Sequence, residues 1–282
     1  MEQDRFKFLR ISLGVVILLD IIVWVSILLP PQLNNEIYFL DIGQGDSSLV
    51  LIDGVKILID GGPMGGGLQD NLDRVLGDDR YIDLIAISHP QLDHFGGLIG
   101  VVKNYKVGAV ITSDADSNNS AWQEFKYILK EKEIPKIILS QGDTISYLEN
   151  KFIILSPEKG SWVKDINDKS LVMLLESEGI KSLFTGDIAR ETEKRLISLY
   201  DLNIDILKVA HHGSKYSSDN SFINEATPAI SVIEVGKNSY GHPTSRVLNG
   251  LADIGSKIYR TDKDGLIKLI IDDSKIRVYI QK

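Results

Sequence analysis

What most constrains this chain is a repeated order of elements: short β-branched runs, then helical stretches, then the same again. EIYFLDI, SSLVLI and VKILID read as three consecutive strands, with Asp53-Gly54 as the hairpin turn between the last two. LIAIS (84–88) is a continuous apolar run, as in a strand buried on both faces. A helical stretch from about Phe95 to Asn104 and the strand VGAVIT follow. The helix SAWQEFKYILKEKE then presents Trp122, Phe125, Ile128 and Leu129 on one face, as core packing. In the second half KFIILSP, SLVMLLES and KSLFTGD read as strands, Glu191 to Tyr200 as a helix and IDILKVA as a strand. SFINEATP is a helix candidate, followed by strand AISVIEV, helix TSRVLNGLADIG and a terminal β meander. Two similar halves of this kind predict an α/β architecture, with two packed sheets covered by helices on both outer faces. No low-complexity linker interrupts residues 34–282, which read as one domain.

Ahead of that domain, residues 11–29 (ISLGVVILLDIIVWVSILL) carry a single charge, Asp20. A helix of this length, at about 1.5 Å per residue, matches a hydrocarbon layer roughly 30 Å thick. Asp20 costs about 2.5–3.5 kcal/mol at mid-membrane, which the surrounding Leu, Ile, Val and Trp outweigh. The competing reading is a buried core helix, but such a helix rarely lacks a polar face throughout its length. Arg5, Lys7 and Arg10 precede the run and the next basic residue is Lys56, so the N-terminus is expected in the cytoplasm and the domain outside. No small-x-small cleavage site precedes Pro30-Pro31. Residues 1–33 are therefore expected to be an uncleaved single-pass membrane anchor, and 34–282 an extracytoplasmic domain.

The absence of Cys excludes disulfides, thiolate metal ligands and a Cys nucleophile. A net charge of −8 argues against gripping nucleic acid with a broad basic surface. The acidity is uneven: from Asp205 onward 11 Lys/Arg face 9 Asp/Glu, against 20 and 30 in the remainder.

Ligand sites in α/β architectures gather beyond the C-terminal ends of strands. LIAIS ends at His89, which places His89, Asp93 and His94 on a post-strand loop. KSLFTGD ends in Asp187, IDILKVA runs into His211-His212, and the fifth His, His242 in YGHP, also follows a strand. A lone His is ordinarily a satisfied core residue. His and carboxylate delivered together by several strand ends predict a divalent metal site suited to Zn²⁺, Mn²⁺ or Fe²⁺. GGPMGGG lacks the Lys-Ser/Thr of a phosphate-binding loop, and its glycines are expected to let the backbone turn close beside the metal. Asp60 before it reads equally as a ligand-orienting group or a strand-end turn residue.

DIGQGDSSLVL, ILIDGG, SHPQLDHFGG, LFTGDI, LKVAHHGS and YGHP occur in this order over about residues 36–265. Together they resemble the metallo-β-lactamase-like domain of ComEC-type competence proteins, which take up DNA. The resemblance implies a four-layer αββα sandwich and a metal-dependent hydrolase using one or two ions, Zn or Mn. It implies a nuclease or other phosphodiesterase degrading the non-transforming DNA strand. Without the many membrane spans of the full competence protein, this chain is expected to be either a separate subunit beside a DNA-uptake channel or an independent hydrolase. By position, His89 matches the first ligand of a His-x-(His/Asp)-x-Asp-His motif. Asp93 and His94 match its last two residues, which bind the second metal, Asp187 the carboxylate bridging both metals, and His211 the late His ligand. Asp93 and Asp187 are the expected catalytic carboxylates, and Lys208, His212, Ser214 and His242 are expected near the substrate.

Gln91 departs from that pattern, standing where the resemblance calls for Asp or His. A neutral amide oxygen is a weak ligand that cannot offset the charge of the cation. Ser156 likewise stands where relatives often show a His-Pro pair. The expected centre is lopsided, with one good metal position and one poor one. The alternatives are a small phosphoester or lactone hydrolase on the same fold, or a binding module in which Gln91 marks lost chemistry.

Overall fold

The structure, a computed structural model, describes residues 2–28, 34–161, 163 and 165–282, and divides into two units, 1–33 and 34–282. The first unit is the helix α1 (Glu2–Leu28), along which Leu13, Val16, Leu18 and Trp24 are exposed. Among the described residues no helix is long and apolar enough to cross a membrane. Leu29, the last residue of the expected span, and Pro30-Pro31 after it lie outside the described residues.

The second unit opens with β1 (Asn35–Phe39), β2 (Ser48–Ile52) and β3 (Val55–Ile59), then α2 (Leu68–Leu76) and β4 (Tyr81–Ile87). Two short helices, α3 (Leu92–Phe95) and α4 (Leu98–Asn104), precede β5 (Lys106–Thr112), α5 (Ser120–Glu131) and β6 (Lys136–Ile138). Next come β7 (Thr144–Tyr147), β8 (Asn150–Ser156), β9 (Val172–Ser177), β10 (Ile180–Phe184) and α6 (Arg190–Leu199). The chain closes with β11 (Ile206–Lys208), α7 (Asn220–Ala226), β12 (Ile230–Ile233), α8 (Ser245–Asp253), β13 (Lys257–Arg260), α9 (Thr261–Asp264), β14 (Leu266–Asp272) and β15 (Lys275–Gln281).

The strands form an eight-stranded sheet, β15-β14-β1-β2-β3-β4-β5-β6, and a seven-stranded sheet, β13-β12-β11-β10-β9-β8-β7. Strand alternation builds three cores from one sequence pattern. On β1, Ile37 and Phe39 enter the core between the sheets, while Tyr38 and the following Leu40 join Leu72, Val101, Trp122 and Phe125 under the helices. Leu196, Phe222, Val247 and Leu251 cover the outer face of the second sheet. Phe39 and Phe184 meet between the sheets at 6.3 Å, each contributing about 1.5–3 kcal/mol by burial. The layers are helix, sheet, sheet, helix.

β3 to β6 are parallel neighbours, as are β10 to β13. Asp60 follows β3, His89 follows β4, Asp187 follows β10, His211 follows β11 and Glu234 follows β12.

Two expectations need correction. The helix expected over Phe95–Asn104 is interrupted at Gly96-Gly97, because the Gly97 N–H goes to the Gly62 carbonyl (2.9 Å) and the Asp93 carbonyl accepts from Asp46 (3.1 Å) instead of closing the turn. The C-terminal meander forms only in part: β14 and β15 pair antiparallel, but β13 pairs in parallel with β12, whereas β14 crosses to pair with β1 in the other sheet. Alternation marks a strand but not the sheet it joins.

Candidate metal centre

Glycines bring the loops of this edge together. Gly61 donates its N–H to the His94 carbonyl (2.6 Å), Gly62 to Asp46 (2.8 Å), and Gly97 to Gly62 (2.9 Å). Asp46 donates its N–H to the Asp93 carbonyl at 3.1 Å. The neighbouring Gly45 holds φ +148°, and a β-carbon there would sit 2.3 Å from the same carbonyl oxygen. This explains why the QGD stretch needs glycine: it is the floor beneath the Asp93 loop.

Three imidazoles share one arrangement. His94 Nδ1 lies 2.9 Å from Asp60 Oδ2, whose carboxylate also accepts from the Ser88 N–H (2.8 Å) and hydroxyl (2.6 Å). His212 Nδ1 lies 2.8 Å from the Glu234 carbonyl and 3.1 Å from Asp46 Oδ1. His89 Nδ1 lies 3.0 Å from the Ser88 hydroxyl and 3.3 Å from that of Ser170. In each ring Nε2 is buried without a hydrogen-bond partner, as is Asp187 Oδ1. Tying Nδ1 to an oxygen is how a protein fixes a metal-binding histidine, leaving the Nε2 lone pair for the ion.

The Nε2 atoms converge on carboxylates. His94 Nε2 lies 3.3 Å from Asp187 Oδ2, while His211 and His212 Nε2 lie 3.7 and 3.9 Å from the same oxygen. His212 Nε2 is 3.6 Å from Asp93 Oδ2. His89, His94 and Asp187 form one group within reach of a single ion, and Asp93, His94 and His212 form another. Asp46 with Asp187 and His212, and Asp46 with Asp60 and His94, form two more. The donors are imidazole nitrogen and carboxylate oxygen, the set that suits Zn²⁺, Mn²⁺ or Fe²⁺, and they fit a divalent metal.

Without an ion these groups hold charge among themselves. Burial opposes the charge on His212, but Asp187 and Asp46 outweigh it and raise its pKa to about 10. His94 is raised well above the usual histidine range by Asp187, Asp46 and Asp60, again against burial. His89 goes the other way, lowered to about 3 by burial and by the charge on His94. Against its own burial, Asp93 is lowered to about 2 by the neighbouring His212 and the charge on His94.

His89, Asp93, His94, Asp187 and His211, expected as metal ligands, are thus brought to one place. The structure groups His212, expected at the substrate, with Asp93 and His94 more closely than His211. His211 and His212 both have left-handed φ, 51° and 53°, a strained conformation for side chains of this size that recurs at functional sites.

Two expected substrate contacts face inward. Lys208 is 3% exposed, its ammonium bound to Asp46 and 3.2 Å from the Gly186 carbonyl. Ser214 is also buried, its hydroxyl accepting the Tyr216 N–H at 3.3 Å. His242 packs its ring 5.6 Å from His211. Gln91 turns its amide to Asn167 Oδ1, and the Ser156 hydroxyl accepts from Arg195 at 3.0 Å.

Asp46, Glu234, Ser88 and Ser170 were not legible as site residues. Asp46 lies within the DIGQGDSSLVL motif that carries the resemblance, but nothing in its residue pattern marks it as a site group. Glu234 is buried against the Ser47 N–H (3.1 Å) and Ser48 hydroxyl (3.2 Å), its pKa raised to about 8 by burial and the charge on Asp46.

The family model for the Metallo-beta-lactamase superfamily matches residues 40–236. The chain belongs to that superfamily, whose members are generally metal-dependent hydrolases. ComE operon protein 3 of Bacillus subtilis (strain 168) is 28% identical over 255 residues, 83% of this chain and 33% of its own length. Recombination protein 2 of Haemophilus influenzae is 25% identical over 99% of this chain and 34% of its own length. Competence protein ComA of Neisseria gonorrhoeae is 28% identical over 84% of this chain and 32% of its own length. The chain therefore spans about a third of the length of the curated relatives it matches.

Among solved structures, Tm1679, a metal-dependent hydrolase of the β-lactamase superfamily, superposes with TM-score 0.58 at 18% identity, over 85% of this chain and 100% of that one. CmlA, a diiron β-hydroxylase from Streptomyces venezuelae, gives 0.56 at 13% identity, over 86% of this chain and 55% of that one. These likenesses establish the fold, and a hydroxylase beside a hydrolase means that the fold alone does not choose the reaction.

Proposed function

We propose that this chain is a metal-dependent phosphodiesterase acting on DNA in a competence-type uptake context. The observation that carries the proposal is the convergence of three orphaned, buried Nε2 atoms on Asp93 and Asp187. The competence relatives support DNA as the substrate.

Asp93, His94, Asp187 and His212 would hold one ion, and His89 with Asp187 would offer a poorer second position. His211 and His212 thus exchange their expected roles, because His212 shares a one-ion group with Asp93 and His94. The chemistry such an ion supplies is activation of water near neutral pH and neutralisation of charge on the phosphate. Asp93, ionised and 36% exposed in its side chain, orients the attacking water at the mouth of the site. Asp60 and the Glu234 carbonyl keep the His94 and His212 rings in place while charge redistributes. His242, at the rim beside His211, contacts the phosphate or the leaving oxygen.

Residues 11–29, with three basic residues before them, support a single-pass anchor that leaves the domain extracytoplasmic, beside a DNA-uptake channel as separate partner.

The test uses the full chain stripped by chelator, with Mn²⁺ or Zn²⁺ restored, on single- and double-stranded oligodeoxynucleotides. Metal-dependent cleavage that disappears in Asp187→Ala supports the proposal. The net charge of −8 favours a second reading, hydrolysis of small phosphoesters or lactones. Turnover of those with intact DNA would establish that one instead. Metal retained with no hydrolysis of any of them would leave a binding module.

A further inference from the structure

We propose that Tyr240 and His242 form a stacking subsite for an unpaired nucleobase beside the metal centre. The inference rests on the phosphodiesterase reading and adds the class of group bound next to the cleaved bond. A line of rings leads outward from the buried carboxylate. His211 Nε2 lies 3.7 Å from Asp187, the His211 and His242 rings are 5.6 Å apart, and Tyr240 follows 5.7 Å from His242 with 31° between the planes. Tyr240 ends the line 72% exposed.

An exposed aromatic on a loose loop would carry no weight, but this one stands on a fixed turn. The Asn238 side chain donates to the carbonyls of Gly236 and His242, each at 2.9 Å, and accepts from the N–H groups of Tyr240 and His242, each at 3.1 Å. Thr244 ties the same segment to the histidine loop, its N–H 2.9 Å and its hydroxyl 3.1 Å from the Gly213 carbonyl. A β-carbon on Gly213 would lie 2.6 Å from Pro243, so the two loops are in direct contact. A large flat ring carried on a fixed backbone, tilted 31° to an imidazole at the rim, offers an exposed face to a base.

The charge balance selects a base as the occupant. At a net charge of −8 the chain is poorly suited to hold a strand by phosphate contacts alone, so stacking is the interaction that supplies attachment. A duplex hides its base faces, and a small phosphoester without a ring has none. The occupant is a base of a single strand or of a frayed end.

The test is binding of a single-stranded oligomer by the full chain after chelation, so that no cleavage intervenes. The oligomer carries a fluorescent purine analogue that stacking quenches. Tyr240→Ala is expected to weaken binding roughly five- to a hundredfold and remove the quench, Tyr240→Phe to keep both. With metal restored, Tyr240→Ala should raise KM far more than it lowers kcat, and Tyr240→Phe should reverse the change. Equal affinity and quench in Tyr240→Ala would overturn the inference. Wild-type cleavage with KM unmoved by Tyr240→Ala would overturn it while leaving the phosphodiesterase reading standing; no cleavage of any phosphodiester by the wild type would end that reading instead.

Discussion

His94 Nδ1 lies 2.9 Å from Asp60 Oδ2, and on the far side of the ring Nε2 faces Asp187 at 3.3 Å. One imidazole thus spans a supporting carboxylate, held at Nδ1, and a proposed metal-binding one, faced by Nε2. Asp60→Asn, which keeps the shape but not the charge, should lower metal affinity about 10–100-fold without unfolding the domain. Isothermal titration with Mn²⁺ measures it, and an unchanged affinity would reduce Asp60 to a turn residue.

Gln91 spends its amide on Asn167 and leaves His89 and Asp187 alone at the poorer position. Gln91→Asp should add a third donor there and raise the ions retained after desalting from about one per chain to about two, the carboxylate being the stronger ligand. Metal analysis by plasma mass spectrometry reads this count. An unchanged count would place the limit somewhere other than Gln91.

Gly45→Ala would put a methyl group 2.3 Å from the Asp93 carbonyl oxygen and 2.8 Å from Pro63. The crowding should cost roughly 1–3 kcal/mol in urea unfolding. It should also weaken metal binding, because the Asp93 loop must shift. A substitution that unfolds no earlier and binds metal normally would contradict the role given to the QGD turn.

Glu193 is fully buried and accepts the N–H groups of Ser218 and Asp219, the latter at 2.8 Å. Burial raises its pKa to about 7, from 4.5 in an open chain, against the pull of those two donors. The folded state therefore holds the proton more tightly, and stability falls as pH rises from about 4.5 to about 7 and is level beyond. The integrated effect is about 3 kcal/mol. Urea midpoints at pH 5 and pH 8 should show wild type losing more than Glu193→Gln over that interval; equal losses would contradict it.

The sheets and the ligand-bearing loops were legible because strand alternation and strand-end placement are local properties. His89, Asp93, His94, Asp187 and His211 could be read together on that ground. The supports could not. Asp46 reaches Lys208 from another sheet, and Glu234 contributes a backbone carbonyl that any residue type could supply. Which member of His211-His212 turns inward depends on two left-handed residues, and no side-chain pattern records that. The broken helix at Gly96-Gly97 and the crossing of β14 have the same origin, a close approach between segments distant in sequence.

In the proposed centre His94 and His212 present their Nε2 atoms to a divalent ion. The most direct measurement is the metal content of the purified full chain beside His94→Ala and His212→Ala, after saturation with Mn²⁺ and desalting. About one ion should be retained per wild-type chain and close to none in either variant, with circular dichroism unchanged. Wild-type chain that retains no metal, or variants that retain as much as wild type, would contradict it.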